Sequence, residues 1–234
     1  MGQSIIIVAG GKGIRMGKEI PKQFIPIGGL PVLMWTIRRF YMYDACIQII
    51  LVLPEDQQRY WGDLCEKYNF DIVHEITSGG ETRFHSVQNG LRLVKSADLV
   101  GVHDGVRPFV SLSTIDKSYK TAAQYGSAIP VLPSVESIRK VEDDGSSESC
   151  IREEYRMVQT PQVFKTEWLQ NSYASPWKDD FTDDASVVEA AGYSITLTEG
   201  NPENIKITSP FDLLISEAVL NSSTLTTQLT EKGL

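Results

Sequence analysis

Several things that would narrow the function at once are scarce in this chain. Its 234 residues contain three cysteines, Cys46, Cys65 and Cys150. The count is odd and no C-x-x-C pair occurs, which suggests neither a disulfide framework nor a zinc knuckle. A reduced cytoplasm suits such thiols. Eighteen apolar residues never follow one another, and the first residues lack a basic segment or a small-residue cleavage site, so neither a membrane span nor export is expected. Positive charge is also short: 22 Lys and Arg stand against 30 Asp and Glu, for a net charge of −8. That balance argues against a broad surface for nucleic acid or anionic membrane, because counterion release needs a basic face. Any functional cations must be local.

The pattern that is present alternates. Short apolar, β-branched runs at 4–9, 47–53, 70–74, 99–103 and 127–132 read as strands buried on both faces. Helical spacing fills 31–43, 55–68, 82–95 and 112–125 between them. Strand and helix in turn predict an α/β fold: a Rossmann-like, mainly parallel sheet with helices on both faces. At Pro133 the rhythm breaks. Residues 134–159 are charged, poor in core-forming side chains, and carry the turn signal Asp143-Asp144-Gly145, the features of a protruding β-hairpin arm. A thin ribbon buries little by itself, so packing against a second copy, a homodimer, is its natural stabiliser. A helix from Thr182 or Asp183 to Gly192, a strand at 194–198 and a helix at 210–220 complete one domain over 1–220, and the polar tail from Asn221 is expected to fray.

The first strand runs into AGGKGIRMG, and PKQF follows at 21–24. The loop is not a P-loop, since Lys18 is followed by Glu19, and it misses the dinucleotide fingerprint because Gly17 comes one place late. Gly10, Gly11 and Gly13 still allow a sharp bend and a close backbone approach to an anion. Arg15 and Lys22 add full charges at the carboxyl end of the first strand, where open α/β sheets bind ligands.

That loop resembles the signature of the cytidylyltransferases that make CDP-activated polyols, typified by those acting on 2-C-methyl-D-erythritol 4-phosphate. Further blocks agree in the same order: GGETRFHSVQNGL at 79–91, VHDGVRPF at 102–109, TPQVF at 160–164, TDDASVVE at 182–189 and NIKIT at 204–208. The resemblance implies CTP and a polyol phosphate as substrates. Ala9, Gly10, Gly11 and Gly13 would wrap the nucleotide, with Gly80, Glu81 and Ser86 near base and ribose. Arg15, Lys22 and Lys206 would stabilise the reacting phosphates. Attack by one anion on another makes such cations the main catalytic need.

Asp104, at a strand end beside the phosphate loop, would hold Mg²⁺ or a substrate hydroxyl. Arg107, Ser137, Arg152 and Thr182 would bind the polyol phosphate, Arg152 by reaching across the dimer. Here the chain departs from its relatives, because Glu136-Ser137-Ile138-Arg139 stands where the family has a D-T-[IM]-K-like element. Arg83 lies in the second block with nothing in the spacing to fix its direction, and His103 should face away from Asp104. Ribitol 5-phosphate as acceptor, another nucleotidyltransferase sharing only the first loop, and a non-catalytic nucleotide-binding protein are the competing readings. TDDASVVE leans toward the erythritol enzymes, VHDGVRP and TPQVF count against the second competitor, and the retained cations count against the third.

Overall fold

The computed structural model describes residues 1–10 and 20–222. Gly11, Gly13 and Arg15, and the polar tail beyond Ser222, lie outside the described residues. Along the chain come β1 (Gln3–Val8), β2 (Pro26–Ile27), β3 (Leu30–Pro31), α1 (Val32–Tyr43), β4 (Gln48–Leu53), α2 (Glu55–Lys67) and β5 (Glu75–Ser78). Next are α3 (Arg83–Leu91), β6 (Leu99–Asp104), α4 (Leu112–Tyr125), β7 (Ser127–Pro133), β8 (Arg139–Val141), β9 (Ser147–Ser149) and β10 (Arg156–Val158). The last are β11 (Gln162–Lys165), α5 (Thr166–Tyr173), α6 (Asp184–Ala190), β12 (Leu197–Glu199) and α7 (Pro210–Asn221).

The central sheet has the order β10-β7-β11-β6-β1-β4-β5, with β12 paired to β7. Its parallel half is built on β1, where Ile5 faces Ile49 of β4 on one side and Gly101 of β6 on the other. β11 enters antiparallel between β6 and β7. Alternation along β1 explains the two helical layers. Ile5 and Ile7 join a core with residues of α1, α2 and α4, such as Leu33, Trp61 and Tyr119. Ile6 points the other way, among Val87 of α3, Leu169 of α5 and Val187 of α6. Both faces are therefore apolar, as the unbroken β-branched run required.

Several boundaries differ from the sequence expectation. Residues 70–74 are not a strand; Phe70 and Ile72 are buried beside Trp61 from irregular backbone, and His74 is held by the Trp61 indole and the Ile72 carbonyl. Pairing with β4 starts only at Glu75, opposite Ile50. Side-chain burial had the same letters as ladder formation there. The late strand lies at Leu197–Glu199 rather than 194–198. Within 134–159, β8 and β9 pair antiparallel around Gly145 at φ 82° and every residue of both is exposed, as a hairpin requires, but β10 pairs with β7 at the edge of the central sheet and Gln159 is buried, so the hairpin ends before the expected residue 159.

Helix α3, which carries part of the site, lies close on the sheet because Gly90 has no side chain. A Cβ there would stand 2.7 Å from Ile6 Cγ2 and 3.2 Å from Val52 Cγ2. Gly90→Val is expected to overpack this contact and cost roughly 1–3 kcal/mol of stability, read as a lower urea midpoint with unchanged slope; an unshifted midpoint would contradict the close approach.

Candidate active site

A cavity of about 300 Å³ opens at the carboxyl ends of β1 and β6. Backbone contacts set its floor: the Gly105 amide donates to the Val8 carbonyl and the Ala9 amide to the Val52 carbonyl, both at 2.9 Å. Ala9 and Gly10 then turn into the cavity. Gly105 must be small, since its Cβ would lie 2.8 Å from that of Ala9. PKQF forms a short 3-10 turn at Lys22–Phe24. The buried Gln23 amide donates to the Ala9 carbonyl at 3.0 Å and to Gln57 at 2.6 Å, and its neighbour Lys22 lines the cavity. Gln23 is a site-shaping residue that the sequence reading missed.

The second wall is the loop before α3. Gly80, Glu81 and Ser86 all line the cavity. Ser86 is buried; its hydroxyl donates to the Thr82 carbonyl and accepts the Gly80 amide, each at 3.0 Å. Thr82 caps α3. Gly80 admits no side chain, because a Cβ would meet that of His85. Arg83, left without a direction by its spacing, lines the cavity while both its terminal nitrogens bond Asp184.

The third wall is charged. Asp104 Oδ2 sits 3.0 Å from Arg107 Nε and 3.1 Å from Lys206 Nζ. Burial alone would raise the Asp104 carboxyl, but the charges of Lys206, Arg83 and Arg107 outweigh it and hold the group well below the usual aspartate range. A chain of hydrogen bonds fixes this junction. Arg107 Nη1 donates to the Asn204 carbonyl at 2.8 Å, and the Asn204 amide donates to the Thr160 carbonyl at 2.8 Å. The Asp104 amide donates to Thr160 Oγ1 at 3.1 Å. His103 Nε2 lies 3.0 Å from the Arg107 carbonyl and so carries the proton, leaving Nδ1 to accept the Thr160 hydroxyl at 2.9 Å.

Not every expected residue lines this cavity. Arg107 stands behind Asp104 and serves it, and Thr182 is exposed. The N-cap of α6 is Asp183, with a capping box to Ser186, so Thr182 does not cap the helix. Ser137 and Arg152 are exposed on the arm, where Arg152 bonds the Val135 carbonyl and Glu153. Thr160 and Asn204 were within quoted motifs but unassigned; a polar residue flanking a strand end is the signal they offered.

A cavity lined by glycine backbone, with Lys22, Arg83 and Lys206 beside Asp104 at the edge of a parallel sheet, suits a nucleotide-dependent transferase of the α/β type. The family profile of IspD, 2-C-methyl-D-erythritol 4-phosphate cytidylyltransferase, matches residues 3–222, and the chain belongs to this family. It is 58% identical to the 2-C-methyl-D-erythritol 4-phosphate cytidylyltransferase of Bacteroides thetaiotaomicron over 94% of this chain and all of that protein. Identity to the protein of the same name from Phocaeicola vulgatus is 56%, with the same coverage. Among solved structures, 4-diphosphocytidyl-2C-methyl-D-erythritol synthase from Anaerococcus prevotii superposes with a TM-score of 0.80 at 28% identity, covering 94% of this chain and 99% of that one. The Thermus thermophilus cytidylyltransferase gives 0.77 at 31% identity, covering 95% and 100%.

The His103 network has a pH signature. Burial pushes the imidazole down to about 4, while an unfolded histidine titrates near 6.5. Between those values the unfolded chain binds more protons, so stability falls on acidification, by about 1.4 kcal/mol per pH unit for this group. His74, lowered by burial as well, adds a slope of the same sign. Urea denaturation at pH 7 and pH 5 should show the loss in the wild type and a weaker one in His103→Gln; equal slopes would contradict a neutral His103. Asp104, with its depressed carboxyl, contributes stability that is present above about pH 3.9 and lost only below it.

Proposed function

We propose that the chain transfers a cytidylyl group from CTP to 2-C-methyl-D-erythritol 4-phosphate, releasing pyrophosphate, in the non-mevalonate supply of isoprenoid precursors. The observation that carries the reading is that Lys22 and Lys206, from opposite ends of the chain, line one cavity with Asp104, Gly80 and Ser86. A phosphate oxygen of the acceptor forms a bond to the α-phosphorus of CTP, and the bond from that phosphorus to the bridging oxygen of pyrophosphate breaks. Negative charge spreads over the transferred group and the leaving group, where Lys22 and Lys206 offset it. By resemblance Arg15 does the same. Backbone at Ala9 and Gly10, the loop of Gly80 and Glu81, and Ser86 in the first turn of α3 hold the nucleoside side. Family membership and the highly identical relatives favour the erythritol acceptor over ribitol 5-phosphate.

The acceptor side is completed in a homodimer, in which the arm of one subunit brings Ser137 and Arg152 to Arg107 and Thr182 of the other. Support comes from apolar side chains left exposed on the arm and on β10 beside it: Val135, Ile151 and Met157 are 78%, 63% and 57% exposed. A magnesium ion would fit here as one brought by the substrate phosphates and at most touched by Asp104, whose Oδ2 already meets Arg107 and Lys206. Asp104 is an ionised carboxylate lining the cavity, and among the described residues no group of three acidic, histidine or cysteine side chains forms a cage. This matches an ion carried largely by substrate phosphates. When bound, it neutralises phosphate charge. The cysteines are unpaired, in keeping with a cytoplasmic setting. Among the described residues no helix is long and apolar enough to cross a membrane.

Pyrophosphate release from CTP and Mg²⁺, with either polyol phosphate run side by side, tests the transfer. Preference for the erythritol phosphate is expected; preference for ribitol phosphate, or no release with either, would overturn it. Lys22→Ala should lower kcat by about two orders of magnitude or more with the fold intact. Mixing Lys22→Ala with Arg152→Ala subunits should restore part of the activity, and none after verified subunit exchange would count against the shared site.

A further inference from the structure

We infer that Arg83 is a positioning residue: clamped by Asp184, it ties the start of α3, with Gly80 before it and Ser86 within it, to the start of α6, with Thr182 before it, and so keeps the nucleotide and acceptor halves of the site at one spacing. The inference rests on the cytidylyl transfer and on the acceptor-side role of Thr182, both proposed above.

Arg83 opens α3 and Asp184 opens α6. Nη1 meets Oδ1 at 2.9 Å and Nη2 meets Oδ2 at 2.6 Å, a two-point contact that fixes direction as well as distance. Asp184 is fully buried, and Tyr173 Oη donates to its Oδ1 at 2.6 Å. The arginine itself is not sealed in, since 31% of its side chain is exposed and it lines the cavity. It therefore stands between the buried Asp184 and the site, where its charge also helps hold Asp104 ionised. An apolar contact runs beside the polar one: Phe84 stacks on Tyr173 at 4.6 Å and on Phe181 at 5.8 Å, next to Thr182. The α6 end is anchored in turn, because Gln162 of β11 donates to Asp183 Oδ2 at 2.7 Å and accepts the Ala185 amide at 2.9 Å.

Holding the loops together does not require an ion pair. The aromatic stack already does so, and a buried pair carries a desolvation cost that apolar residues would avoid. What the planar fork adds is a fixed geometry between two loops that serve different substrates.

The test begins with wild-type turnover, so that absence of transfer would be charged to the proposed reaction and not to the clamp. Arg83→Lys, Arg83→Gln and the neutral pair Arg83→Gln with Asp184→Asn are then compared below the lowest melting midpoint. Arg83→Lys keeps the charge and loses the fork; kcat should fall about tenfold or more, while calorimetric affinity for CTP alone changes by less than about threefold, a split that a lost nucleotide ligand would not give. The neutral pair should recover melting temperature relative to Arg83→Gln alone, which leaves the fully buried Asp184 unpaired, without recovering kcat. Wild-type kcat in Arg83→Lys, or kcat that returns with stability in the neutral pair, would make the clamp merely structural. A loss confined to CTP affinity would make Arg83 a direct nucleotide ligand. Either result overturns the inference.

Discussion

The Asp104 carboxylate meets Lys206 at 3.1 Å and Arg107 at 3.0 Å at the end of β6, and the geometry of the site depends on that junction. A buried carboxylate without partners would take up a proton or destabilise the fold. Paired with two cations it stays charged, and it in turn fixes where those cations stand. Lys206 arrives from an irregular segment between β12 and α7 that makes no ladder of its own. Arg107 is held by the Asn204 carbonyl, so the same junction anchors the segment that carries Lys206. One ion cluster thus replaces the secondary structure this part of the chain lacks.

The sheet provides the rest. β1 and β6 run side by side in register, Val8 opposite Asp104, so the glycine-rich turn and the acidic strand end reach the same edge. Gly105 and Gly90 let neighbouring backbone and α3 approach closely enough to leave one shared cavity. The overall negative charge of −8 is compatible with binding two anionic substrates because cations are gathered at this edge. Long-range repulsion is screened within about 8 Å at physiological salt, whereas contacts inside a partly closed cavity are not.

Much of this was legible in the sequence. β1, β4 and β6 were readable because strands buried on both faces have few polar letters, and the arm because its composition cannot build a core. Residues 70–74 misled because buried side chains on irregular backbone look like strand. For the site, the glycines and Lys22 had a physical rationale from spacing alone, while Lys206 looked like a solvent-facing lysine and gained a role only through resemblance to a family. Its partner Asp104 lies about a hundred residues earlier, and no local pattern encodes such a pairing. Arg83 was undirected for the same reason, with Asp184 equally distant. Gln23 gave no signal that a glutamine would turn inward to hold the Ala9 carbonyl. The structure supplies these long-range pairings, and they decide which polar residues face the cavity.

Asp104 remains an anion because cations surround it, and a carbon-detected NMR titration of its carboxyl in the ligand-free protein reads that charge state residue by residue. The group should stay ionised below the ordinary aspartate value of about 3.9, and its titration should move upward in Lys206→Ala. A wild-type carboxyl that takes up its proton at or above that value would contradict the account.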